Sequence, residues 1–341
     1  VYAGGSAMTI TEKILAAHAG KKTVTPGEFL YADVDLVMAN DVTGPLAIEE
    51  FEKVGANTVF DPQKIVLVPD HFTPCKDIKS AELVQMLRSF AKKHGTHFYE
   101  IGRVGVEHAL LPEEGLIVPG GVVVGADSHT CTYGALGAFS TGMGSTDIAA
   151  AMISGKVWLK VPSTMRVNYH GRLQRWTGGK DLILHTIGKI GVDGALYRAM
   201  EFAGDTIAAL SMDDRLTMCN MVIEAGAKNG IIAPDDITEA FFVGESAVHH
   251  EIPPGLFSDS EGTYEQMIDV DASLVGPQVA APHLPSNVAD VREFSSVKID
   301  QVVIGSCTNG RLSDLRKAAM VMKGKKVHRD VRTIVIPATQ K

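Results

Sequence analysis

Three short apolar stretches of this chain each end in polar side chains that can do chemistry. Apolar, β-branched runs of this length are typical of strands buried in a parallel sheet. Ligands of open α/β folds bind beyond the carboxyl ends of such strands, so we expect the three ends to meet at one cleft. The runs are residues 64–69, followed by Asp70 and His71; residues 122–126, followed by Asp127, Ser128 and His129; and residues 302–304, followed closely by Cys307.

A helical pattern separates the first of these strands from another strand predicted at residues 97–101. We expect Ser80 to cap the N-terminus of this helix and Gly95 to end it. A strand, a helix and a second strand in this order favour a parallel sheet. The apolar positions that mark one face of the helix are Leu83, Val84, Leu87, Phe90 and Ala91.

The rest of the pattern predicts further helices and strands. Helices are expected at residues 9–19 (with a capping box of Thr9 and Glu12), 46–54, 147–154, 178–190, 211–227 and 312–323. The helix at 147–154 is expected to have Ser145 or Thr146 as its cap. Strands are expected at residues 33–38, 157–169, 200–202 and 331–337, and Pro162 marks an edge or a junction in the second of them.

These elements predict an α/β fold in which several α/β/α domains, with mainly parallel sheets, surround a cleft. Breaks in the pattern divide the chain into domain 1 at residues 8–163, domain 2 at residues 164–288, and the start of an incomplete domain 3 at residues 289–341. Residues 1–7 have neither the basic start nor the apolar centre of a signal peptide. We expect them to be a foreign remnant, with Met8 as the natural start.

Composition and charge narrow the range of partners. Of the 341 residues, 45% are hydrophobic and 21% are charged, which is typical of an ordinary globular protein. The net charge is −8 and no basic run is present, so a nucleic-acid partner is not expected. No apolar run has the length of a membrane span, so no membrane partner is expected either. The four scattered cysteines fit reduced thiols in a cytoplasmic protein.

Two features remain open from the residues alone. Cys307 is expected at the start of a helix, where free N–H groups favour a metal-binding thiolate; an inert cysteine under a loop is the other interpretation. Asn220 and Glu224 are four residues apart on one helical face. Their apolar neighbours favour a buried functional pair, and the alternative is a surface hydrogen bond. Turn chemistry is a sufficient explanation for Asn40 and Asp41.

A set of motifs follows in fixed order along the chain: Asp70-His71, Gly105-x-x-His108, Asp127-Ser128-His129-Thr130, Cys219-Asn220-Met221-x-x-Glu224 and Gly305-Ser306-Cys307-Thr308-Asn309. With these motifs, the sequence resembles the aconitase family over residues 9–340. The resemblance implies an aconitase-like fold and a hydro-lyase, an enzyme that dehydrates a hydroxy acid and rehydrates the product at the neighbouring carbon. It also implies a [4Fe–4S] cluster with three cysteine ligands and one open iron that acts as a Lewis acid.

The resemblance assigns an expected role to each matching residue. Cys307 matches the first cluster ligand. Asp70 and His71 resemble the pair that protonates the departing hydroxyl group, since a carboxylate beside an imidazole favours the cationic form. Asp127 and His129 resemble the groups that hold the iron-bound oxygen.

Further roles come from the same resemblance. His108 and Glu224 resemble a second histidine–carboxylate pair near the oxygen. Asn220 resembles a hydrogen-bond donor on the cluster side, and Asn40 resembles an amide that contacts the substrate. The expected contacts to substrate are Asn40, Ser128, Asn220 and Asn309.

The chain departs from the family pattern at the cluster. The family's second and third ligands form a C-x-x-C motif, which this sequence does not contain, and Cys75, Cys131 and Cys219 do not match ligand positions. The substrate-binding arginines and the swivelling domain of the family are also missing. That domain is expected on a separate small subunit, the partner in a heterodimer. We therefore expect a shortened large subunit that lacks the cluster and is inactive by itself.

Several alternatives stay open for the activity. The leading expectation is a branched hydroxy dicarboxylate substrate in leucine biosynthesis, with homocitrate or another alkylmalate as the alternative. A mononuclear-metal hydrolase that uses His71, His108 and His129 is a third possibility, although no compact ligand motif supports it. The fourth is a scaffold whose role is to dock a small subunit.

Overall fold

The first part of the chain builds a five-stranded parallel sheet with helices around it. The computed structural model describes residues 7–103 and 105–341, so residues 1–6 of the expected remnant lie outside the described residues. The elements are α1 (Ile10–His18), β1 (Phe29–Asp33), β2 (Leu36–Asn40), α2 (Gly44–Lys53), β3 (Ile65–Val68), α3 (Ile78–His94), β4 (His97–Phe98), α4 (Glu107–Glu113), β5 (Val122–Gly125), β6 (Phe139–Gly142), α5 (Ser145–Ser154) and β7 (Lys156–Lys160).

This sheet is buried on both faces. Its strands run in the order β4-β3-β2-β5-β6, and every neighbouring pair is parallel, as predicted. Successive residues of β2 enter different apolar clusters, with Met38 in one and Val37 and Ala39 in the other. Such continuous apolar strands are what a sheet covered on both faces requires. Strands β1 and β7 form a separate antiparallel ribbon.

The middle part of the chain forms a four-stranded parallel sheet in the order β10-β9-β8-β11, together with an antiparallel pair, β12 and β13. Met38 and Val66 of the first sheet share an apolar cluster with Met165 and Leu182 of this part. The two sheets therefore pack on a common core. The elements are β8 (Thr164–His170), α6 (Gly179–Ile190), β9 (Ala199–Ala203), α7 (Asp205–Ala209), α8 (Met212–Asn220), β10 (Asn229–Ile231), α9 (Asp236–Gly244), β11 (Gln266–Asp271), β12 (Gln278–Ala280) and β13 (Val288–Asp290).

The last part of the chain is small and largely exposed. It contains β14 (Gln301–Ile304), α10 (Ser306–Asn309), α11 (Leu312–Met322) and β15 (Arg332–Val335), and β14 pairs with β15 in parallel. Helix α11 buries none of its residues. The turn after β14 is nevertheless attached to the middle part, because the Thr217 hydroxyl donates to the Thr308 carbonyl oxygen at 2.8 Å.

Two helix caps differ from their predicted positions. Asp77, rather than Ser80, caps α3, and its carboxylate accepts the Ser80 backbone N–H at 2.8 Å. Gly144 is the N-cap of α5, so Ser145 and Thr146 lie in the first turn of that helix. The predicted capping box of α1, by contrast, is confirmed.

Some predicted elements are shorter or divided. The region at 33–38 is shared between β1 and β2, and the region at 157–169 is divided between β7 and β8 around Pro162, which has no N–H to donate. The predicted helix at 211–227 is α8 followed by a 3₁₀ turn. The 3₁₀ turns of the described chain are Pro62–Lys64, Ser128–Leu136, Met221–Ala225, Ala272–Leu274 and Val291–Phe294. Among the described residues, no helix combines the length and the apolar character needed to cross a bilayer.

Candidate active site

The carboxyl ends of three strands meet at one cavity of about 220 Å³. Strand β3 leads to Asp70 and His71, β5 leads to Asp127 and His129, and β14 leads to Cys307. These are the three strand ends that the apolar pattern predicted to meet. They lie together although β14 belongs to a different sheet from β3 and β5. The lining residues are Asp70, His71, Val106, Glu107, His108, Asp127, His129 and Cys307.

Two aspartates hold His71 beyond the end of β3. Its Nδ1 lies 2.7 Å from Asp70 Oδ1, and its backbone N–H donates to Asp41 Oδ1 at 3.0 Å. The hydrogen bond to Asp70 raises the pKa of His71, against the opposing effect of burial. Because Asp70 accepts the Nδ1 proton, the ring can carry a second proton on Nε2, which lies 3.8 Å from Asp127 Oδ2.

A second pair joins His108 to Asp127. His108 Nε2 lies 2.8 Å from Asp127 Oδ1, and its Nδ1 lies 3.0 Å from the Tyr133 hydroxyl oxygen. The same Asp127 oxygen accepts the His129 backbone N–H at 2.7 Å. Burial by itself would raise the pKa of Asp127, but the hydrogen bond and charge of His108, with further help from His129, lower it. Asp127 is therefore an anion at neutral pH.

His129 has Glu224 as its carboxylate neighbour. Its Nδ1 lies 2.9 Å from the Asn220 carbonyl oxygen and 3.1 Å from Asn220 Oδ1. Both atoms accept hydrogen bonds, so Nδ1 carries the proton of the neutral ring and Nε2 is left 3.8 Å from Glu224 Oε1. The expected pair of His108 with Glu224 is wrong in this structure, because His108 binds Asp127 instead.

Cys307 is the second residue of α10, the four-residue helix that follows β14 after a turn at Gly305. A Cβ at Gly305 would lie 2.7 Å from the Ile336 carbonyl oxygen, so glycine lets the turn approach β15 closely. Cys307 is half-buried on the cavity wall, with Sγ 3.8 Å from Asn220 Oδ1. Of the two interpretations left open by the sequence, this position favours the accessible thiol. Helix α10 has only four residues, however, so it contributes little of the helix dipole that we invoked.

Arg311 connects this turn to the histidine helix α4. Its guanidinium donates to the Thr308 carbonyl oxygen at 3.1 Å and to the His108 carbonyl oxygen at 3.2 Å. The side chain is buried, and its Nε lies 3.8 Å from an Asp213 oxygen. The buried Arg311 guanidinium therefore binds the backbone next to Cys307 and the backbone of His108, and so fixes the two segments relative to each other.

Two amides that we expected at the substrate are buried and already paired. Asn40 is 1% exposed; it donates to Glu107 Oε1 at 3.1 Å and accepts from the Val42 N–H at 3.0 Å. Asn220 is fully buried and presents an acceptor, Oδ1, rather than a donor to Cys307. Its Nδ2 donates to Thr132 at 2.8 Å. The structure does not support the substrate contact of Asn40 or the donor role of Asn220, because neither group is free.

The other two expected substrate contacts also lie outside the cavity wall. Asn309 donates to Asp314 Oδ1 at 2.9 Å and to the Thr217 hydroxyl at 3.3 Å. Ser128 is exposed and lines a neighbouring cavity of about 470 Å³, which shares Asp127 with the first one. Ser128 can reach a ligand only if that ligand extends from one cavity into the other.

Sequence reasoning missed Glu107 and undervalued Asp41. Glu107 lines the cavity and is 1% exposed, between Asp70 and Asp127. Burial, followed by the charges of those two carboxylates, raises its pKa well above the usual range. Its position directly before His108 in the sequence was the available signal. Asp41 does more than shape a turn, because it fixes the backbone of His71.

The cavity provides one ligand for an iron–sulfur cluster among the described residues. Cys131 and Cys219 are fully buried, and burial raises the pKa of both thiols. Cys75 does not line the cavity. A [4Fe–4S] cluster with an open iron needs three thiolates. The chemistry of Cys307 fits one of these positions, and the other described cysteines do not complete the set.

The mononuclear-metal alternative finds no support in the arrangement of the histidines. Within residues 7–103 and 105–341, the groups close enough to share one ion are Asp41, Asp70 and His71 in one place and Glu107, His108 and Asp127 in another. Each group contains a single histidine. His71, His108 and His129 therefore do not form the three-histidine site that this alternative requires.

Comparisons with known proteins agree with the motifs. The sequence profile described as "Aconitase family (aconitate hydratase)" matches residues 12–298 and 292–341. The chain belongs to the aconitase family. The resemblance predicted from the motifs and the α/β fold with parallel sheets are thereby confirmed. Complete members of the aconitase family hold a [4Fe–4S] cluster.

Individual members of the aconitase family align with almost the whole of this chain at high sequence identity. The chain is 62% identical over 334 residues to the 3-isopropylmalate dehydratase large subunit of Moorella thermoacetica. It is 62% identical over 335 residues to the protein of the same name from Thermodesulfovibrio yellowstonii, and 58% identical over 335 residues to that from Acetivibrio thermocellus. Each alignment covers 98% of this chain and 79% of the relative.

Proposed function

We propose that this chain is the large subunit of a 3-isopropylmalate dehydratase, which interconverts 2- and 3-isopropylmalate by dehydration and rehydration in leucine biosynthesis. The observation that carries the proposal is the cavity that combines a thiol with two histidine–aspartate pairs. The names of relatives at 57–62% identity support the same substrate. No relative described here supports the homocitrate alternative.

His71 is the proposed general acid. The neighbouring Asp70 raises the pKa of His71, so the ring carries two protons over a wider pH range than a free histidine. An imidazolium with Nε2 on the cavity side can give that proton to a departing hydroxyl group. Asp41 keeps the ring in place through the backbone of His71.

Asp127, His129 and His108 are the proposed groups that orient the hydroxyl oxygen. Asp127 is an anion with one oxygen, Oδ2, that is not bound by His108. His129 offers Nε2, because Asn220 occupies its Nδ1. Glu224 Oε1 lies 3.8 Å from that nitrogen. Ser128 is proposed to contact the part of the substrate nearest the neighbouring cavity.

The proposed cofactor of the complete enzyme is a [4Fe–4S] cluster with Cys307 as one ligand. When bound, the cluster supplies a Lewis acid that makes hydroxide a better leaving group. We infer that this chain alone does not hold a complete cluster and is inactive, because the described residues place one thiol at the cavity. The proposed partner is a small subunit, which carries the swivelling domain and the base. The proposed location is the cytoplasm.

The test is reconstitution with a small subunit, iron and sulfide, followed by an assay for the interconversion of 2- and 3-isopropylmalate. We expect activity only with both subunits and with a complete set of cluster ligands, and at least tenfold less with homocitrate. Cys307→Ser should lower the bound iron and sulfide, whereas the control Cys75→Ser should not. Full cluster occupancy on this chain alone would contradict the inference about the cofactor. A preference for homocitrate would contradict the proposed substrate.

A further inference from the structure

Glu107 occupies the space between the two histidine–aspartate pairs. Its backbone N–H donates to Asp70 Oδ2 at 2.7 Å, on the side of His71. Its Oε1 accepts from Asn40 at 3.1 Å and lies 3.5 Å from His108 Nε2. One residue therefore contacts both pairs, one through its backbone and the other through its side chain.

The second oxygen of this carboxyl group has no partner. Glu107 Oε2 is buried and makes no hydrogen bond to any described residue. An ionised carboxylate in such a position would leave a buried, partly negative oxygen without a hydrogen-bond donor, which is energetically unfavourable. The neighbouring carboxylates of Asp70 and Asp127 disfavour the ionised form of Glu107 further, because like charges repel. A proton on Oε2 removes the charge and the conflict.

We propose that Glu107 is a positioning residue that holds a proton between the two histidine–aspartate pairs and so keeps a third negative charge out of the cavity. The titratable and polar groups that face it come from five places: Asp70 after β3, Asn40 at the end of β2, Asp127 after β5, Tyr133 in the 3₁₀ turn, and Cys307 after β14, in addition to His108 on its own helix. Burial raises the pKa of Glu107 well above the usual range, and Asp70 and Asp127 raise it further.

A metal ion in place of the proton is disfavoured by His108. The nitrogen of His108 nearest Glu107 is Nε2, which lies 2.8 Å from the anionic Asp127 and therefore carries a hydrogen. That nitrogen has no lone pair to offer. Of the three groups close enough to bind an ion here, only the carboxylates of Glu107 and Asp127 remain as ligands, and Asp127 is already paired with His108.

The neutral acid has a consequence for substrate binding, and this step rests on the proposed function. A dicarboxylate brings two negative charges into a cavity that already contains Asp70 and Asp127. Ionisation of Glu107 at alkaline pH would add a third acidic charge to the wall and repel the substrate. We therefore expect KM to rise several-fold toward alkaline pH while kcat changes less.

Infrared spectroscopy of the isolated chain tests the proton directly. The spectrum of the wild-type chain at neutral pH should contain the carbonyl stretch of a buried protonated carboxyl group, and Glu107→Gln should lose it. Glu113→Gln is the matched control, because Glu113 is on the same helix, also has an unpartnered Oε2 and also has a raised pKa, but lies outside the cavity. A spectrum of Glu107→Gln identical to that of the wild type would overturn the proposal.

Stability against pH is a second readout that needs no cluster. Since the pKa of Glu107 is higher in the folded state, the folded chain keeps a proton that the unfolded chain releases above about pH 4.5, and stability falls as pH rises from there to the folded pKa. Glu107→Gln removes this loss, so its stability relative to the wild type should increase with pH. A constant difference across that range would refute the proposal. If Glu107→Gln does not fold, Glu107→Asp replaces it as the test variant. Because Glu107→Asp keeps a carboxyl group, it should retain the infrared band.

The kinetic arm uses the reconstituted two-subunit enzyme. The rise of KM at alkaline pH should disappear in Glu107→Gln and remain in Glu113→Gln. A rise of KM that persists unchanged in Glu107→Gln would contradict the proposal. If the wild-type enzyme does not act on isopropylmalate at all, the proposed function fails, and the infrared and stability measurements still decide the state of Glu107.

Discussion

His71 Nε2 lies 3.8 Å from Asp127 Oδ2, across the cavity from the pair that Asp127 forms with His108. The other oxygen of Asp127 is 2.8 Å from His108 Nε2. One carboxylate therefore faces two histidines on different elements. The negative charge of Asp127 raises the pKa of His71, and the hydrogen bond of His108 stabilises that charge, so Asp127 couples the two histidines.

The first prediction concerns His71 as the acid. His71→Ala in the complete two-subunit enzyme should lower kcat by about 10²–10⁴-fold, the usual contribution of a general acid. Iron and sulfide content should stay the same, because His71 is not a cluster ligand. The exposed histidine at position 170 provides the control, and His170→Ala should keep wild-type turnover. Normal turnover by His71→Ala would remove this residue from the acid role.

The second prediction concerns Asp70 and pH. The folded-state pKa of His71 is raised by Asp70, so the pairing stabilises the fold below about pH 6.5 and this contribution is lost as pH rises through the folded pKa. Asp70→Asn should shift the titration of His71 to lower pH and reduce the change in stability over that window. NMR titration of the imidazole protons measures the shift. Asp61→Asn, at a distant cap, is the control and should leave the titration where it was.

The third prediction concerns the contact between the two sheets. A Cβ at Gly134 would lie 1.6 Å from the Gly230 carbonyl oxygen, so Gly134→Ala forces the 3₁₀ turn after β5 away from β10. We expect a loss of at least about 2 kcal/mol in the free energy of unfolding. Gly144→Ala is the control, since its nearest neighbour is Asp147 Oδ2 at 3.7 Å. Equal stability of the two variants in urea denaturation would show that the close approach is not structurally important.

The fourth prediction concerns the ion pair between Arg215 of α8, the helix that ends at Asn220, and Asp235, the N-cap of α9. Arg215 is fully buried and binds both oxygens of Asp235, at 2.7 and 2.6 Å. Asp235→Ala leaves this cation without its partner and also removes the cap of α9, so we expect a loss of about 3 kcal/mol. Thermal or chemical denaturation measures it. The exposed neighbour Asp236 is the control, and Asp236→Ala should cost much less than Asp235→Ala.

The three histidines of the cavity differ in how far the sequence predicts their surroundings. The strand ends singled out His71 and His129, and the family motif added His108; all three line the cavity. Strand ends and motifs were not sufficient to select carboxylate partners. Asp70 is adjacent to His71 in sequence, and that pair was predicted correctly. The partner of His108 depends on how α4 packs against the strand ends, and we predicted it wrongly.

The hydrogen-bond partners of the buried polar residues were also not predictable from the sequence. A sequence shows that Asn40 and Asn309 are polar, but it does not show whether a neighbouring backbone or side chain has already taken their hydrogen bonds. The structure shows that the side-chain amide nitrogen of each residue is already bound, in Asn40 to Glu107 and in Asn309 to Asp314. Glu107 is the opposite case, since its unpartnered oxygen became visible only when the surrounding elements were in place.

The sequence by itself determined the class of fold, the strand ends that carry the chemistry and the family, because apolar periodicity and ordered motifs are local properties of a chain. Only the tertiary structure decided which histidine meets which carboxylate and which polar groups are buried. Those facts depend on distances between elements that are tens of residues apart in sequence. Hydrogen bonding and desolvation act over a few ångströms, so the packing of the two sheets against each other sets them.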